Sequence, residues 1–185
     1  MGQAVCSNCL ETLSIVKNHQ ISQIDLLVCA SDYSTWLRDR VIQYKSGNYE
    51  LGRALAQVLL EKCLIEVGNY PIVPIPTSFE KQQLRQIDTI GHLVKKIRLL
   101  DPRYSINSNL FLIRSVRDQV GLTAAQRHSN LEGAFGIRRT VNGTVVLVDD
   151  VVTTGATLNS AARILKFAGS QRVFAVTLCG SPKSR

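Results

Sequence analysis

The segment Val145–Leu158, which reads VVLVDDVVTTGATL, constrains the fold of this chain more than any other stretch. Its first four residues, Val145–Val148, are apolar and mostly β-branched, which predicts a strand buried on both faces. Asp149 and Asp150 follow at once, and a helical pattern begins after a turn of small, hydroxyl-rich residues. The order of strand, acidic pair, turn and helix is typical of a strand–helix junction in a parallel α/β sheet.

The turn after the acidic pair has the composition of a phosphate-binding loop. A helix that starts from small residues offers unpaired backbone N–H groups and the positive end of its dipole to an anion. The turn combines three hydroxyl donors with two small residues: Thr153, Thr154, Gly155, Ala156 and Thr157. The two carboxylates repel phosphate, so they suit the vicinal hydroxyls of a sugar or a cation beside it. Together the two halves predict a site for a ribose 5-phosphate.

An ordinary strand–helix junction with an acidic pair, as in response-regulator-like folds, is the alternative interpretation. The following residues favour the ligand site, because Leu158–Ala168 has helical spacing and Gly169 stands where a helix C′ glycine belongs. Arg172–Leu178 then predicts a second buried strand. In such a βαβ unit, ligands bind beyond the carboxyl ends of the strands.

The rest of the chain also alternates strands and helices. Its 185 residues suffice for one domain with a core, and 45% of them are hydrophobic. No apolar run reaches a membrane span and no signal-peptide pattern opens the chain, so we expect a cytoplasmic protein. The predicted elements are a helix around Trp36–Gln43, a helix over Glu50–Val67, a strand at Ile72–Val73 that Pro74 and Pro76 end or hold at an edge, a helix over Asp88–Leu100, a buried strand at Leu110–Ile113 and a helix from Thr123 through Ser129.

The N-terminal region is weakly patterned. We predict a loosely ordered segment over residues 1–28 and a single domain over residues 29–185. Cys6 and Cys9 form a C-x-x-C pair, half of a zinc ribbon. His19 and Cys29 would complete four ligands, but their spacing fits no standard pattern, so zinc is not expected. Cys63 and Cys179 fit core positions.

The positive charge of the chain is concentrated in one span. Between Lys81 and Arg139 there are eleven basic and four acidic residues, so +7 of the net +8 falls there. Such an excess indicates an anionic partner, either a pyrophosphate or a nucleic acid, and a solvated basic surface is the equally weighted alternative.

The segment Val145–Leu158 resembles the signature of type I phosphoribosyltransferases, which bind 5-phosphoribosyl 1-pyrophosphate (PRPP). The resemblance implies a mostly parallel central sheet flanked by helices, with a small N-terminal helical or lid region. It implies that Asp149 and Asp150 hold the ribose hydroxyls and that Thr153–Thr157 wraps the 5′-phosphate. It also implies Mg²⁺, bound with PRPP through the ribose hydroxyls near the two carboxylates.

A second stretch, RSVRDQVGLTAAQRHSNLEGAF, resembles the ComF family of phosphoribosyltransferase-like proteins, which is linked to natural competence. The matching positions are Arg114, Gln119, Leu122, Arg127, Asn130, Ala134 and Phe135, and Val116 departs from the family's hydroxyl residue. The resemblance covers about Cys29–Cys179. The stretch is also similar to one in glutamine amidophosphoribosyltransferases, where it forms a loop that closes over PRPP. Guanidinium groups suit pyrophosphate oxygens, and the candidate residues of this half are Lys81, Arg114, Gln119, Arg127 and Asn130.

Two departures from the family pattern bear on the prediction. The family opens with a four-cysteine zinc ribbon, of which only Cys6 and Cys9 remain, so the segment before residue 29 is interpreted as its remnant. Either the zinc site has decayed or the N-terminus is truncated. After the V-P-x-P strand, the family's basic segment is replaced by Gln82–Gln86, where only Gln86 agrees. The ribose-phosphate half of the site is therefore expected intact and the pyrophosphate half altered.

Three functions remain open from the sequence. The first is an enzyme that transfers a phosphoribosyl group from PRPP. The second, implied by the ComF resemblance, is a non-catalytic single-stranded-DNA-binding competence factor that works with the DNA-uptake machinery and keeps a sensory or vestigial PRPP site. The third is a nucleobase-salvage phosphoribosyltransferase. The sequence does not identify an acceptor.

Overall fold

A computed structural model describes residues 5–18, 21–33, 35–78, 82–84, 87–113 and 133–180 of the chain. The helices in the described residues are α1 (Ser7–Glu11), α2 (Trp36–Lys45), α3 (Gly52–Val58), α4 (Ile65–Val67), α5 (Thr89–Leu100) and α6 (Ala156–Phe167). The strands are β1 (Val16–Asn18), β2 (Leu26–Asp32), β3 (Ile72–Pro74), β4 (Leu110–Leu112), β5 (Phe135–Ile137), β6 (Gly143–Val152) and β7 (Ser170–Gly180).

The main sheet confirms the predicted, mostly parallel α/β architecture. Its strand order is β1-β2-β7-β6-β3, and every neighbouring pair is parallel except β1 with β2. β6, α6 and β7 form the predicted βαβ unit, and Gly169 ends α6 with a left-handed φ of 111°. β3 is an edge strand that ends at Pro74, as the two prolines predicted, because proline cannot donate to a sheet ladder.

Two apolar clusters cover the two faces of the sheet. One cluster joins α1, α2, α3 and α5 to one face, with Leu37, Leu59 and Leu93 fully buried. The other joins α6 to the opposite face, with Leu158 and Leu165 fully buried. The site therefore lies at the end of strands held rigidly from both sides.

The helix predicted over Glu50–Val67 is present but is not uniform. A short 3₁₀ turn, Tyr49–Leu51, leads into α3, and a π-helical stretch, Leu59–Leu64, joins α3 to α4. A π segment shifts the side chains that follow it by one position relative to a regular helix. The result keeps Leu59, Cys63 and Leu64 buried.

A strand is present where one was predicted at Leu110–Ile113, but the prediction that this strand is buried is wrong for its last residue. β4 pairs with β5 in a separate two-stranded antiparallel sheet, and Ile113 is 61% exposed. A short apolar run does not reveal which sheet a strand joins, because periodicity reports only local burial.

The N-terminal region also differs from the prediction. β2 begins at Leu26, so the predicted boundary between residues 28 and 29 falls inside a strand of the main sheet. Val5, Leu10 and Leu13 are buried in the same apolar cluster as α2 and α3. The described residues of this region belong to the domain, because a few apolar contacts fix them despite weak local patterning.

Candidate functional site

The predicted acidic pair lies near the carboxyl end of β6. The structure keeps Asp149 and Asp150 inside the strand, because pairing with β7 continues to Val152 opposite Gly180. Asp149 is half-buried, and its Oδ1 accepts a hydrogen bond of 2.9 Å from the backbone N–H of Asp150. Asp150 is only 7% exposed. Both carboxylates therefore stand at the ligand-binding end of the parallel strands.

The predicted phosphate loop leads directly from β6 into α6. Gly155 takes a left-handed φ of 77° and precedes the first helical residue, Ala156. Thr153 and Thr154 are exposed, whereas Gly155 is buried. The N–H of Ala156 donates to Thr154 Oγ1 at 3.4 Å. That hydroxyl holds an acceptor position at the helix N-terminus, where a phosphate oxygen would bind.

The N-terminal segment covers one side of this loop. A Cβ built on Gly155 would lie 2.9 Å from Ile21 Cγ1 and closer still to Ile21 Cδ1. The backbone N–H of Gln23 donates to Asn159 Oδ1 of α6 at 3.0 Å. Ile21 thus contacts the loop on the side toward which a Cβ of residue 155 would project, and Thr153 and Thr154 remain exposed.

Asp150 forms an ion pair that the sequence did not reveal. Lys45 Nζ, at the end of α2, lies 2.9 Å from Asp150 Oδ1. The two side chains are 29% and 10% exposed, respectively. A carboxylate this buried needs a compensating charge, and Lys45 provides it.

The residue before Lys45 anchors the end of α2 in the core. Tyr44 is fully buried, and its hydroxyl donates to the carbonyl oxygen of Thr89 at 2.8 Å. The same hydroxyl lies 2.8 Å from His92 Nδ1. Burial, and secondarily the charge of Asp150, raises the pKa of Tyr44 well above its ordinary value. Tyr44 is therefore a neutral, hydrogen-bonded side chain that fixes the position of the backbone next to Lys45.

His92 connects this network to a neighbouring cleft. Burial, with smaller contributions from Lys96 and Lys95, lowers the pKa of His92, so its ring is neutral at pH 7. The cleft has a volume of about 410 Å³ and lies where β3 ends against α5. Its lining includes Pro74, Asp88, His92, Lys95 and Leu110. It lies next to the predicted site but contains none of the predicted ribose-phosphate residues.

The predicted pyrophosphate residues Lys81, Arg114, Gln119, Arg127 and Asn130 lie outside the described residues, as does the helix predicted from Thr123 through Ser129. Six basic residues of the positively charged span are described: Lys95, Lys96, Arg98, Arg103, Arg138 and Arg139. Arg103 forms an ion pair with Asp101 at 2.7 Å, and the Arg138 guanidinium stacks on Phe111 at 5.3 Å. Lys95 and Arg98 are exposed on α5, so part of the positive charge faces solvent.

The predicted zinc pair lies at the start of α1. Cys6 is the N-cap of α1, its Sγ accepts from the N–H of Cys9 at 3.4 Å, and both thiols are exposed. This backbone hydrogen bond lowers the pKa of Cys6. Cys29 is buried in β2, where its Sγ accepts from Thr177 Oγ1 at 3.2 Å, so it does not join the pair. The expectation that zinc is not bound stays a prediction, and Cys63 and Cys179 are core residues as predicted.

The described residues do not build a metal cage from protein ligands alone. Among them there is no group of three or more His, Cys, Asp or Glu side chains placed to hold a metal ion. One oxygen of Asp150 is already paired with Lys45. A magnesium ion at this site would therefore have to take most of its oxygen ligands from a bound phosphoribosyl compound and water.

Lys45, Tyr44 and Ile21 are the site residues that sequence reasoning missed. Lys45 is 105 positions from Asp150, and nothing in the local pattern of α2 distinguishes it from a solvated lysine. Tyr44 carried no distinguishing signal, because tyrosine is intermediate between buried and exposed residue types. Ile21 carried none.

Comparison with known proteins places these features in a family. A phosphoribosyl transferase domain matches residues 91–185. Competence protein F of Haemophilus influenzae is 32% identical over 180 residues, which cover 91% of this chain and 75% of that protein. The chain belongs to the ComF family. The DNA utilization protein YhgH of Escherichia coli is also similar to this chain. The two are 40% identical over 163 residues, which cover 83% of this chain and 71% of YhgH.

The domain match and the sheet topology together establish the type I phosphoribosyltransferase fold. A solved HPRT glutamic acid mutant, from an analysis of an invariant aspartic acid, aligns with 95% of this chain and 76% of its own at 17% identity. The TM-score of this alignment is 0.39. In the described part of this ComF protein, no helix has the length and apolarity needed to cross a membrane.

Proposed function

We propose that this ComF protein binds PRPP or another compound with a ribose 5-phosphate group through Asp149–Thr157. The observation that carries the proposal is the continuity of the site. Two carboxylates at the end of β6 and the N-terminus of α6 are joined by a loop whose glycine has a φ of 77°. A sugar diol at one end and a phosphate at the other match this spacing of acceptors and donors.

The charges support the same assignment. The helix N-terminus and the exposed Thr153 and Thr154 offer donors to phosphate oxygens. Carboxylate oxygens accept hydrogen bonds from hydroxyl groups. In this proposal Asp149 and Asp150 receive the 2′- and 3′-hydroxyls, and residues 153–157 hold the 5′-phosphate.

Mg²⁺ enters the proposal together with PRPP. The ion would neutralise the pyrophosphate, and its protein-side contacts would run through the ribose hydroxyls near Asp149 and Asp150. The chain's own role is to orient the ribose and fix the phosphate. A cytoplasmic location belongs to the same proposal.

A ligand series tests the proposal directly. Isothermal titration would compare ribose 5-phosphate with 2-deoxyribose 5-phosphate and with unphosphorylated ribose. We expect saturable binding of the first compound, and a loss of at least about tenfold for each of the others, because a missing hydroxyl or phosphate leaves its partners unpaired. Equal binding of all three compounds would mean that the loop and the carboxylates do not form one site.

Transfer of the phosphoribosyl group is the catalytic form of the proposal. The protein need not supply a nucleophile, since positioning and charge stabilisation of the leaving pyrophosphate suffice. Pyrophosphate release from PRPP and Mg²⁺, measured with and without nucleobases, separates the possibilities. Release that depends on a nucleobase would favour the salvage alternative, and binding without release would favour a sensor.

A role in DNA uptake is the second candidate function. It is favoured by the exposed Lys95 and Arg98 of α5 and by the relatives' names, a competence protein and DNA utilization proteins. Positive charge on a surface tracks a phosphate backbone without reading its bases. Anisotropy with labelled oligo(dT) of about 20 nucleotides should show affinity that falls steeply with salt. Affinity that is independent of salt would remove this candidate.

A further inference from the structure

We propose that Lys45 is the built-in counter-ion of Asp150, standing where a divalent cation would otherwise sit. This carboxylate would then serve a neutral sugar hydroxyl rather than a metal ion. The identity of the sugar rests on the proposed function, whereas the claim about charge does not.

The geometry of the ion pair is the first support. Lys45 Nζ contacts one oxygen of Asp150, Oδ1, at 2.9 Å. A carboxylate has about four lone-pair positions on two oxygens, so it can accept from a hydroxyl while the ion pair persists. With Lys45 counted, the formal charge of Lys45, Asp149 and Asp150 together is −1 rather than −2.

The setting of the lysine is the second support. Lys45 is 29% exposed, so it is not a freely solvated side chain. Its backbone is fixed by Tyr44, which is fully buried and bonded to Thr89 of α5. A partly buried lysine on an anchored backbone loses less conformational freedom on pairing than a fully solvated one, and that loss is what makes surface pairs weak.

The chemistry of magnesium is the third support. Mg²⁺ demands near-octahedral oxygen ligands and usually binds through one or two carboxylates plus phosphates and water. Here an ammonium at hydrogen-bond distance from one carboxylate repels a divalent cation at the same place. Any Mg²⁺ that accompanies PRPP would be recruited by the ligand's pyrophosphate, and ribose 5-phosphate alone would need no metal.

Metal titration of the purified full-length protein without any ligand tests the charge claim. Free Mn²⁺ would be followed by electron paramagnetic resonance for the wild type, Lys45→Met, Lys45→Arg and the double variant Lys45→Met with Asp150→Asn. We expect Lys45→Met to bind Mn²⁺ at least about tenfold more tightly than the wild type. Lys45→Arg should behave as the wild type, and the double variant should lose the gain.

Lys17→Met is the matched control, because Lys17 pairs with Glu66 at 2.6 Å on β1, at the far edge of the sheet. It should leave Mn²⁺ affinity unchanged. Equal Mn²⁺ affinity of the wild type and Lys45→Met overturns the inference. If Lys45→Met does not fold, the wild type still tests the inference. Wild-type Mn²⁺ binding that is abolished by Asp149→Asn or Asp150→Asn would overturn the inference. Wild-type protein that binds no Mn²⁺ at these carboxylates would support the inference.

Ribose 5-phosphate titrations in EDTA and in Mg²⁺ separate the two proposals. If Lys45 already neutralises Asp150, the wild type should bind ribose 5-phosphate in EDTA and in Mg²⁺ with affinities that differ by less than about threefold. Binding that strictly requires Mg²⁺ would contradict the inference. If the wild type binds ribose 5-phosphate in neither condition, the proposed function fails while the Mn²⁺ results still decide the role of Lys45.

Discussion

Asp150 combines an observed ion pair with the role in ligand binding that we propose for it. It is nearly buried, and the partner that compensates its charge comes from α2, over a hundred residues away in sequence. Removing one partner of a buried ion pair typically costs about 3–5 kcal/mol, because the other charge stays behind. Variants of Asp150 therefore mix a binding effect with a folding effect, and Asp149 is the cleaner position for a binding test.

The environment of Asp25 makes the stability of the folded protein depend on pH in the acid range. Its Oδ2 accepts from the backbone N–H of Val173 at 2.7 Å and lies 3.1 Å from Lys166 Nζ. Partial burial opposes ionisation, but the Val173 N–H and Lys166 outweigh it, so the pKa of Asp25 is lowered in the folded protein. A lowered folded pKa stabilises the protein above the unfolded value, near 3.9, and this stability is lost as pH falls through the folded pKa.

We therefore expect Asp25→Asn to be less stable than the wild type at pH 7, with the difference shrinking below about pH 4. Urea unfolding at pH 7 and pH 3 measures it. Asp39→Asn, which removes an exposed carboxylate paired with Arg38, is the control and should cost less than about 1 kcal/mol of stability. A difference for Asp25→Asn that stays constant down to pH 3 would contradict the assignment.

At the scale of elements, the junction between β6 and α6 depends on one glycine. Two features favour glycine at position 155. Its φ is 77°, and Ile21 occupies the space that a Cβ would fill. Gly143 is a matched control, because its φ is 76° and nothing lies within 4 Å of a Cβ built there.

We expect Gly143→Ala to cost about 1 kcal/mol, the usual cost of a left-handed φ, and Gly155→Ala to cost clearly more. Ile21→Ala in the Gly155→Ala background should recover the excess, because it removes the collision. Thermal unfolding of the four proteins measures these differences. Equal costs at the two glycines would show that Ile21 does not press on the loop.

Some elements of the fold could be predicted from the sequence because only neighbouring residues determine them. The βαβ unit, the helix at Trp36 and the edge strand at Ile72 follow from residue periodicity and proline chemistry, which act within a few positions. The position of the two carboxylates and of the turn before α6 was predictable for the same reason, since Asp149–Thr157 is one continuous segment. The pairing of β4 with β5, the contact of Ile21 with Gly155 and the ion pair of Lys45 depend on long-range packing, which local patterns do not encode.

At the scale of the whole molecule, the described N-terminal residues form part of the same folded unit as the sheet. Trp36 is the only tryptophan, and its Nε1–H donates to Thr12 Oγ1 at 3.0 Å, so its fluorescence reports how α2 meets the N-terminal region. We expect urea transitions followed by Trp36 fluorescence and by far-ultraviolet circular dichroism to coincide, as in two-state unfolding. A fluorescence transition at clearly lower urea would indicate that the N-terminal region detaches first.

Isothermal titration of PRPP with Mg²⁺ into the wild type, Asp149→Asn and the exposed control Asp39→Asn would show whether the two carboxylates and the loop form a PRPP site. We expect saturable binding by the wild type and Asp39→Asn. For Asp149→Asn we expect a loss of affinity of at least about tenfold, because a carboxylate that accepts from the ribose is removed while Lys45 keeps its partner. If the wild type binds no PRPP, or if Asp149→Asn binds PRPP as tightly as the wild type, residues 149–157 do not form the proposed site.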